Sequence, residues 1–280
     1  MARGLALVLS QLWGLLRQPA PASTQQPYPK LRNFILDVMA EGRRKNTINL
    51  LFEAEVAPMR RHLAAQAERI SLTSYIARTL ACAVNENRSM HAYRRGRSRL
   101  TVFEDIDLTF MVERDIGGGA ALPLNYIVRA AQRKAASGIH AELQAAKTAP
   151  LGQGGPLTAL EKRFFGLPRP LRRIVWFFIR RDPVMFKDLV GTVGITSMGM
   201  HAQGAAIVLP ITPMTLTLSI GSIAKRLVLE NGQPVEREFI QLNLGADHDI
   251  IDGAPLMRFC TRFKAMLEAG CALEPPHRHG

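Results

Sequence analysis

The segment that most constrains the fold is a strand followed by a corner and a helix near the C-terminus. Residues 236–244 alternate polar and apolar side chains, which is the period of a half-buried strand. Residues 254–267 place apolar side chains on one helical face: Leu256, Phe259, Cys260, Phe263 and Leu267. Pro255 falls in the first helical turn, where its missing N–H costs nothing. The pattern therefore predicts a helix that folds back onto a sheet.

The corner itself, residues 245–253, reads Gly-Ala-Asp-His-Asp-Ile-Ile-Asp-Gly. His248 and Asp252 are predicted to lie on it, and a corner held on both sides by regular elements suits a general base because its geometry is fixed. His-x-x-x-Asp-Gly alone is a weak pattern, since a lone histidine is more often structural and Asp-Gly is more often a turn. The bare hexapeptide leaves both interpretations open.

With its flanking elements, Asp-His-Asp-Ile-Ile-Asp-Gly-Ala resembles the signature of the 2-oxo acid dehydrogenase acyltransferases. These dihydrolipoamide acyltransferase cores share their fold with chloramphenicol acetyltransferase. Residues 70–78 are similar to an early helix of the family, residues 122–129 to its Pro-x-Val-Arg segment, and residues 191–200 to its Thr-Ile-Ser-x-Leu-Gly strand. The resemblance covers roughly residues 31–268. It implies an α/β fold: a chloramphenicol acetyltransferase-like two-layer sandwich, with helices packed on a mixed sheet.

The resemblance implies an acyltransferase that moves an acyl group between thiols. The co-substrate would be a coenzyme A thioester, and the lipoyl group, or another carrier thiol, would act only in trans. His248 would deprotonate the attacking thiol, because the thiolate is the nucleophile and a neutral imidazole suits that task near pH 7. The family's catalytic serine falls on Thr196, whose hydroxyl would donate to the oxyanion, with Ser197 as a substitute. No metal is expected, and residues that bind the cofactor are not predicted.

Asp252 has two interpretations. It could orient the imidazole as a triad acid does. The resemblance implies instead a structural ion pair with an N-terminal arginine, which we match to Arg32, with Arg43 and Arg44 as alternatives. We favour the structural role, because Gly253 and the residues after it make Asp252 part of the corner that fixes the histidine.

Members of the family are trimers with the site between subunits. The resemblance therefore implies a homotrimer or a multiple of it, with His248 of one chain facing Thr196 of the next. The expected partner is a separate lipoyl or carrier protein, since residues 1–30 cannot hold a lipoyl domain. An alternative function is a trimeric scaffold or regulatory subunit that has lost efficient turnover. The threonine and the missing lipoyl domain favour the scaffold, whereas His248 favours the enzyme.

Three regions are predicted: an N-terminal apolar helix and linker over residues 1–30, a catalytic domain over 31–270, and a flexible tail over 271–280. Residues 4–16 are apolar but too short to span a bilayer. They could be a signal-peptide core, a transit segment or, as we favour, a helix that docks on the core or on a neighbouring subunit. We expect a cytoplasmic protein, with a mitochondrial or membrane-associated location as alternatives.

The formal net charge of +13 predicts attraction to anions, although no nucleic-acid partner is expected. Residues 151–190 are atypical for the family. Within them, residues 172–181 bracket an apolar aromatic core with arginines, which is the composition of an interfacial helix. Membrane contact through 151–190 is one interpretation. A core helix with its arginines in solvent or at a subunit interface is the other.

Elsewhere, periodicity and turn signals predict further elements. They are helices over 31–42 and 71–84, a helix reaching 147 and helical structure over 158–187, strands over 48–56, 100–112, 192–199, 205–209 and 215–221, and a hairpin turning at Asn231-Gly232.

Overall fold

The computed structural model of the protein describes residues 23–24, 32–115, 121–148, 164, 166–197 and 204–270. The chain divides into two compact units, Met1–Lys30 and Leu31–Gly280, and every element given below belongs to the second. The predictions for the N-terminal helix, the linkers near residues 20–29 and 150–156, and the C-terminal tail lie outside the described residues.

The described strands form a six-stranded mixed sheet and a separate small hairpin. They are β1 (Thr47–Glu55), β2 (Tyr93–Arg95), β3 (Arg99–Thr101), β4 (Leu108–Asp115), β5 (Ala121–Val128), β6 (Val193–Ser197), β7 (Leu216–Glu230) and β8 (Gln233–Asp247). The large sheet has the order β1-β8-β7-β6-β4-β5, and β2 pairs with β3. β6 lies parallel to both β4 and β7, and the other neighbours are antiparallel. The predicted mixed sheet is therefore confirmed.

Helices flank this sheet. They are α1 (Arg32–Gly42), α2 (Val56–Ala64), α3 (Leu72–Glu86), α4 (Ala136–Thr148), α5 (Arg169–Ile179), α6 (Pro183–Val190) and α7 (Gly253–Ala269), with short 3-10 turns at Arg88–His91 and Ala131–Arg133. The predicted cap of α3 is confirmed, because Ser71 Oγ accepts a hydrogen bond from Ser74 N at 3.1 Å.

One main hydrophobic core lies between the sheet and α3, α4 and α7. The predicted face of α7 is buried in it, and the α3 side chain Tyr75 donates from its hydroxyl to Leu267 O at 2.6 Å. Each buried Leu or Phe side chain on this face of α7 stabilises the fold by about 1.5–3 kcal/mol relative to an exposed one. A second, smaller cluster around Trp176 and Phe186 joins α5 and α6 to β2. The two-layer α/β sandwich is confirmed.

The strand predicted for residues 100–112 is wrong in its first half. β3 ends at Thr101, β4 begins at Leu108, and residues 102–107 between them form no strand. The polar residues that alternate there bind side chains and turns instead of a neighbouring strand.

Asp107 explains that pattern. Its side chain is 1% exposed and meets Ala130 N at 3.0 Å, Arg129 Nη1 at 2.8 Å and Lys187 Nζ at 3.0 Å. Burial alone would raise the pKa of Asp107, but these three donors outweigh it and lower the pKa below its ordinary value. We call this group the Asp107 centre. It ties β4, the end of β5 and α6 together.

Two further predictions need correction. Residues 205–209 are not a strand: Ala206 exchanges backbone and side-chain hydrogen bonds with Ser222, and so covers a bulge between Ile220 and Ile223 in β7. The helical structure predicted over 158–187 is interrupted at residues 180–182, between α5 and α6, within the part that is described.

The hairpin predicted at Asn231-Gly232 is confirmed. It joins β7 and β8, which run for 15 residues each. Asn231 and Gly232 have φ of 51° and 79°, the left-handed conformation that a two-residue type I′ turn requires. The turn fixes the register of β7 against β8, that is, which of their residues lie side by side. This register sets where the residues of the candidate site lie relative to one another.

Candidate functional site

The predicted corner lies between the end of β8 and the start of α7. Ile250 N and Ile251 N both donate to Asp247 O, at 3.0 and 2.9 Å, and close the turn. Ile251 is 3% exposed and anchors the turn in the main core. Leu256 N then donates to Asp252 O at 3.1 Å, which begins the helix. The corner is rigid because its backbone donors are paired and its apolar residue is buried.

A second set of bonds fastens the corner to the chain before β1. Asp247, 2% exposed, receives Lys45 Nζ at 2.6 Å on one carboxylate oxygen and Asp249 N at 3.2 Å on the other. His248 N donates to Asn46 O at 2.8 Å, and Asn46 Nδ2 donates to Asp249 Oδ1 at 2.8 Å. We call these hydrogen bonds of Lys45 and Asn46 to the corner the lock. It was not predicted from the sequence, although the two acids that flank the histidine in Asp-His-Asp were a signal for such partners.

His248 presents its side chain to solvent, with an exposed fraction of 47%. Its Nδ1 lies 3.8 Å from Asp252 Oδ1, a distance beyond a hydrogen bond. In the described part of the chain the ring forms no hydrogen bond, so its nitrogens are open to a ligand. An accessible imidazole on a fixed backbone is the geometry that a general base needs.

The ion pair predicted between Asp252 and Arg32, or alternatively Arg43 or Arg44, is not formed among the described residues. Asp252 is 81% exposed and its nearest ionisable partner is the His248 ring at 3.8 Å, while Arg44 pairs with Glu41 at 3.4 Å. The carboxylate that an N-terminal cation neutralises is Asp247. It lies on the buried face of the corner, where an unpaired charge would be costly, whereas water can solvate Asp252.

Gly253 is the first residue of α7, and it was predicted to be structural. A Cβ built on it would meet no atom of the described residues within 4 Å. Packing within this part of the chain therefore does not require glycine here. The open space beside Gly253 leaves room for a group from outside the chain to approach the backbone next to His248.

Thr196 and Ser197 end β6. Thr196 is half-buried on the sheet face that points away from the main helices, together with its β7 neighbour Ser219 and the next residue across, Asn243. Ser219 Oγ and Asn243 Oδ1 are buried without a hydrogen-bond partner in the described structure. Unsatisfied buried acceptors and donors cost free energy, so this polar row is a place where a bound group could restore hydrogen bonds.

Ser197 does not share that face. Successive residues of a strand point to opposite sides, and the Ser197 hydroxyl lies 3.5 Å from Thr73 Oγ1 at the start of α3. The prediction that Ser197 could substitute for Thr196 therefore does not fit the geometry.

The structure does not bring Thr196 and His248 of one chain together. Thr196 pairs with Ser219, and Ser219 pairs with Asn243, so the three lie level across the sheet. His248 follows Asn243 by five residues, which corresponds to about 16 Å along β8, and β8 lies about 10 Å across the sheet from β6. A hydroxyl and an imidazole so far apart cannot act on one carbonyl.

Other reactive side chains fit structural roles better. Burial lowers the pKa of His91 to about 4 and raises the pKa of the Cys260 thiol to about 11. Neither is poised for proton transfer or nucleophilic attack near pH 7. Among the described residues no cluster of three or more His, Cys, Asp or Glu could hold a metal ion. Nor does any helix in those ranges have the length and apolarity to cross a membrane.

Residues 185–273 match the model of the family "2-oxoacid dehydrogenases acyltransferase (catalytic domain)". This match covers β6, β7, β8, the corner and α7. It confirms for that part of the chain the resemblance drawn from the sequence.

A curated relative is the dihydrolipoyllysine-residue acetyltransferase component of the pyruvate dehydrogenase complex of Rickettsia typhi (strain ATCC VR-144 / Wilmington). It is 30% identical over 86 residues, which are 31% of this chain and 21% of the relative. The alignment thus spans about a fifth of the relative's length.

Two solved structures share the fold at a TM-score of 0.65 and 14% identity, and each match covers 92% of this chain and 100% of the other. One is the cubic core of the pyruvate dehydrogenase multienzyme complex. The other is the dihydrolipoamide acetyltransferase of Azotobacter vinelandii, from an investigation of the role of a serine, a histidine and an asparagine in its catalytic mechanism. At this identity they establish the fold.

Proposed function

We propose that this chain is an acyltransferase that moves an acyl group between two thiols, at a site built from two copies of the chain. His248 of one copy is the general base, and Thr196 of the next copy donates its hydroxyl to the oxyanion. One thiol belongs to coenzyme A, and the other is dihydrolipoamide or another carrier thiol.

The observation that carries the proposal is the combination of an exposed imidazole on a fixed corner with a hydroxyl that lies about 16 Å away along the sheet, too far for the two to act together within one chain. A shared site resolves this separation, because a cyclic assembly can set the corner of one copy against the β6 end of the next. The likeness to a cubic core supports assembly, and a homotrimer or a multiple of it is the state we propose.

The Azotobacter vinelandii enzyme supports the residue assignment. Its histidine follows its serine by 52 residues, and its asparagine follows the histidine by four. In this chain His248 follows Thr196, and Asp252 follows His248, at the same two spacings. The equal spacings support matching Thr196 to that serine and Asp252 to that asparagine. The hydroxyl and the imidazole that the reaction needs are both retained.

The reaction can be written from these groups. His248 Nε2 takes the proton of the incoming thiol, and the sulfur attacks the thioester carbonyl carbon. The carbonyl oxygen becomes an oxyanion, which accepts a hydrogen bond from Thr196 of the partner subunit. The tetrahedral intermediate then collapses, the carbon–sulfur bond to the departing thiol breaks, and the imidazolium returns the proton to that sulfur. No redox step occurs.

The remaining corner residues position the base. Lys45 neutralises the buried Asp247, and Asn46 O accepts a hydrogen bond from the His248 backbone N–H, so the backbone that carries the imidazole is fixed. Asp252 Oδ1 lies 3.8 Å from Nδ1, too far for a hydrogen bond, so both ring nitrogens stay open and Nε2 is available to accept the proton.

A subunit-mixing experiment tests the shared site. His248→Ala and Thr196→Ala chains are purified separately, and each is assayed for acetyl transfer from acetyl-CoA to dihydrolipoamide. They are then co-assembled in equal amounts. In a cyclic trimer about one site in four combines an intact histidine with an intact neighbouring hydroxyl, so about a quarter of wild-type activity should return.

The wild-type chain, taken through the same dissociation and reassembly, is the control. If the mixed assembly forms and stays inactive while reassembled wild type is active, the site is not shared. If wild type transfers no acyl group to either thiol, the scaffold alternative replaces the enzyme.

A further inference from the structure

The helix α5 faces solvent with its apolar side. Leu171, Ile174 and Phe178 share one stripe of the helix and are 49%, 55% and 61% exposed. A surface helix normally turns such a stripe toward the core. Here the opposite side, with Trp176 at 3% exposure and the charged Arg172 at 4%, is the buried one.

The reversed orientation is fixed by ion pairs with α1. Arg172 Nε lies 2.7 Å from Asp37 Oδ2, and Arg180 Nη1 lies 3.5 Å from Glu41 Oε1. Arg172 also donates to Leu167 O at 2.6 Å. Removing Arg172 from a buried carboxylate would leave an uncompensated charge, so the helix cannot rotate to hide its apolar stripe. The exposed stripe is held in place by the fold.

Cations border the stripe. Arg169 and Arg173 are exposed and enter no ion pair among the described residues, and Arg181 stacks on the Phe177 ring at 3.8 Å from its centroid. An open groove of about 1170 Å³ runs between α1 and α5. Its lining includes apolar side chains such as Leu36, Ile174 and Phe178 and six arginines: Arg43, Arg44, Arg169, Arg172, Arg173 and Arg180. Of these, Arg43, Arg169 and Arg173 enter no ion pair among the described residues. The lining acids, Asp37 and Glu41, are already ion-paired.

We propose that this face of α5, with the groove beside it, docks the protein on an anionic phospholipid surface. Leu171, Ile174 and Phe178 would enter the headgroup boundary, and the bordering arginines would bind phosphate groups, which is how a basic amphipathic helix lies on a membrane. The attachment is peripheral.

Two other occupants fit less well. A second copy related by a two-fold axis would set the stripe against itself and so place like arginines together. An acidic peptide would pair with the arginines and leave the protruding apolar side chains in water. A lipid headgroup layer satisfies the charges and buries the apolar groups together.

The test is flotation of the full chain with vesicles of phosphatidylcholine alone, or of phosphatidylcholine and phosphatidylglycerol in equal parts. We expect binding only to the anionic vesicles, and less of it as sodium chloride is raised. Arg173→Gln should weaken binding about fivefold, as for one cation near such a surface. Ile174→Ser combined with Phe178→Ser should weaken it roughly tenfold or more.

The matched control is Met257→Ser with Arg258→Gln on α7. Met257 is 55% exposed, like Ile174, and Arg258 is exposed, so this pair carries the same chemistry elsewhere on the surface. It should bind vesicles as wild type does. Equal retention on neutral and anionic vesicles would overturn the proposal. Vesicle binding at the wild-type level by the Ile174→Ser/Phe178→Ser variant would also overturn it. If that variant binds vesicles normally but has a different assembly mass, the stripe is a contact between copies of the chain.

Discussion

His248 and His91 stand in opposite environments, although each has an aspartate near it. His248 is 47% exposed beside the solvated Asp252. His91 is fully buried near the Asp107 centre, its ring 6.3 Å from that of Phe103. The backbone of the first is locked and its ring is free, whereas the ring of the second is enclosed. A histidine becomes useful for proton transfer when the scaffold holds its backbone and leaves its ring to the solvent.

The largest effect should come from the exposed histidine. His248→Ala removes the proposed base, and a positioned general base is worth about 100- to 10,000-fold in rate. Acetyl transfer from acetyl-CoA to dihydrolipoamide should fall by that factor, while the thermal midpoint and assembly mass stay at wild-type values. Wild-type turnover in a correctly assembled variant would remove His248 from the mechanism.

The second prediction concerns the hydroxyl across the proposed interface. Thr196→Ala should lower kcat about 100- to 1,000-fold with little change in KM, because the donor is needed when the oxyanion forms. Thr196→Ser should keep or raise activity. Ser197→Ala is the matched control, because its hydroxyl points to the other face of the sheet. If the two alanine variants lose activity equally, the assignment of faces is wrong.

The buried histidine should affect stability instead of turnover. Its folded pKa of about 4 lies below the ordinary value of 6.5, so the unfolded chain binds the proton more readily. The contribution is complete above about pH 6.5 and is lost as pH falls toward 4, a change of roughly 3 kcal/mol in the free energy of unfolding. Urea unfolding across this range should show it. The slope should flatten in His91→Phe and persist in His248→Ala.

The smallest effect should come from the lock behind His248. Lys45→Met leaves the buried Asp247 without its cation, although Asp249 N still donates to it, and should cost about 2 kcal/mol of stability. Activity should fall less than in His248→Ala, because the base is still present but held less firmly. Arg44→Met, which removes the more exposed partner of Glu41, is the control and should change either quantity little.

The sequence predicted the corner well because local signals agree there: an alternating strand, a proline in the first helical turn and a five-residue apolar face on α7. It failed where long-range partners decide the structure. Asp107 looked like part of a strand because its cations, Arg129 and Lys187, come from later in the chain. Asp252 was given the arginine, but burial assigns the cation to Asp247, and burial is not visible in a linear pattern.

The helix α5 shows the same limit in another form. Its composition left both an interfacial helix and a core helix open, because an amphipathic pattern does not show which side of the helix faces the protein. That choice depends on Asp37 and Glu41, which lie more than a hundred residues earlier. The offset between Thr196 and His248 was also out of reach, since it requires the β6–β7–β8 register.

That offset has a consequence for kinetics. If a site needs two chains, a lone chain has no site at all, and the number of active centres follows the law of mass action. Specific activity would then depend on protein concentration: it would fall steeply on dilution below the dissociation constant of the assembly and recover with a lag when the protein is concentrated. Near that dissociation constant, total activity in a cell would rise more steeply than the concentration of the chain, without a separate regulator.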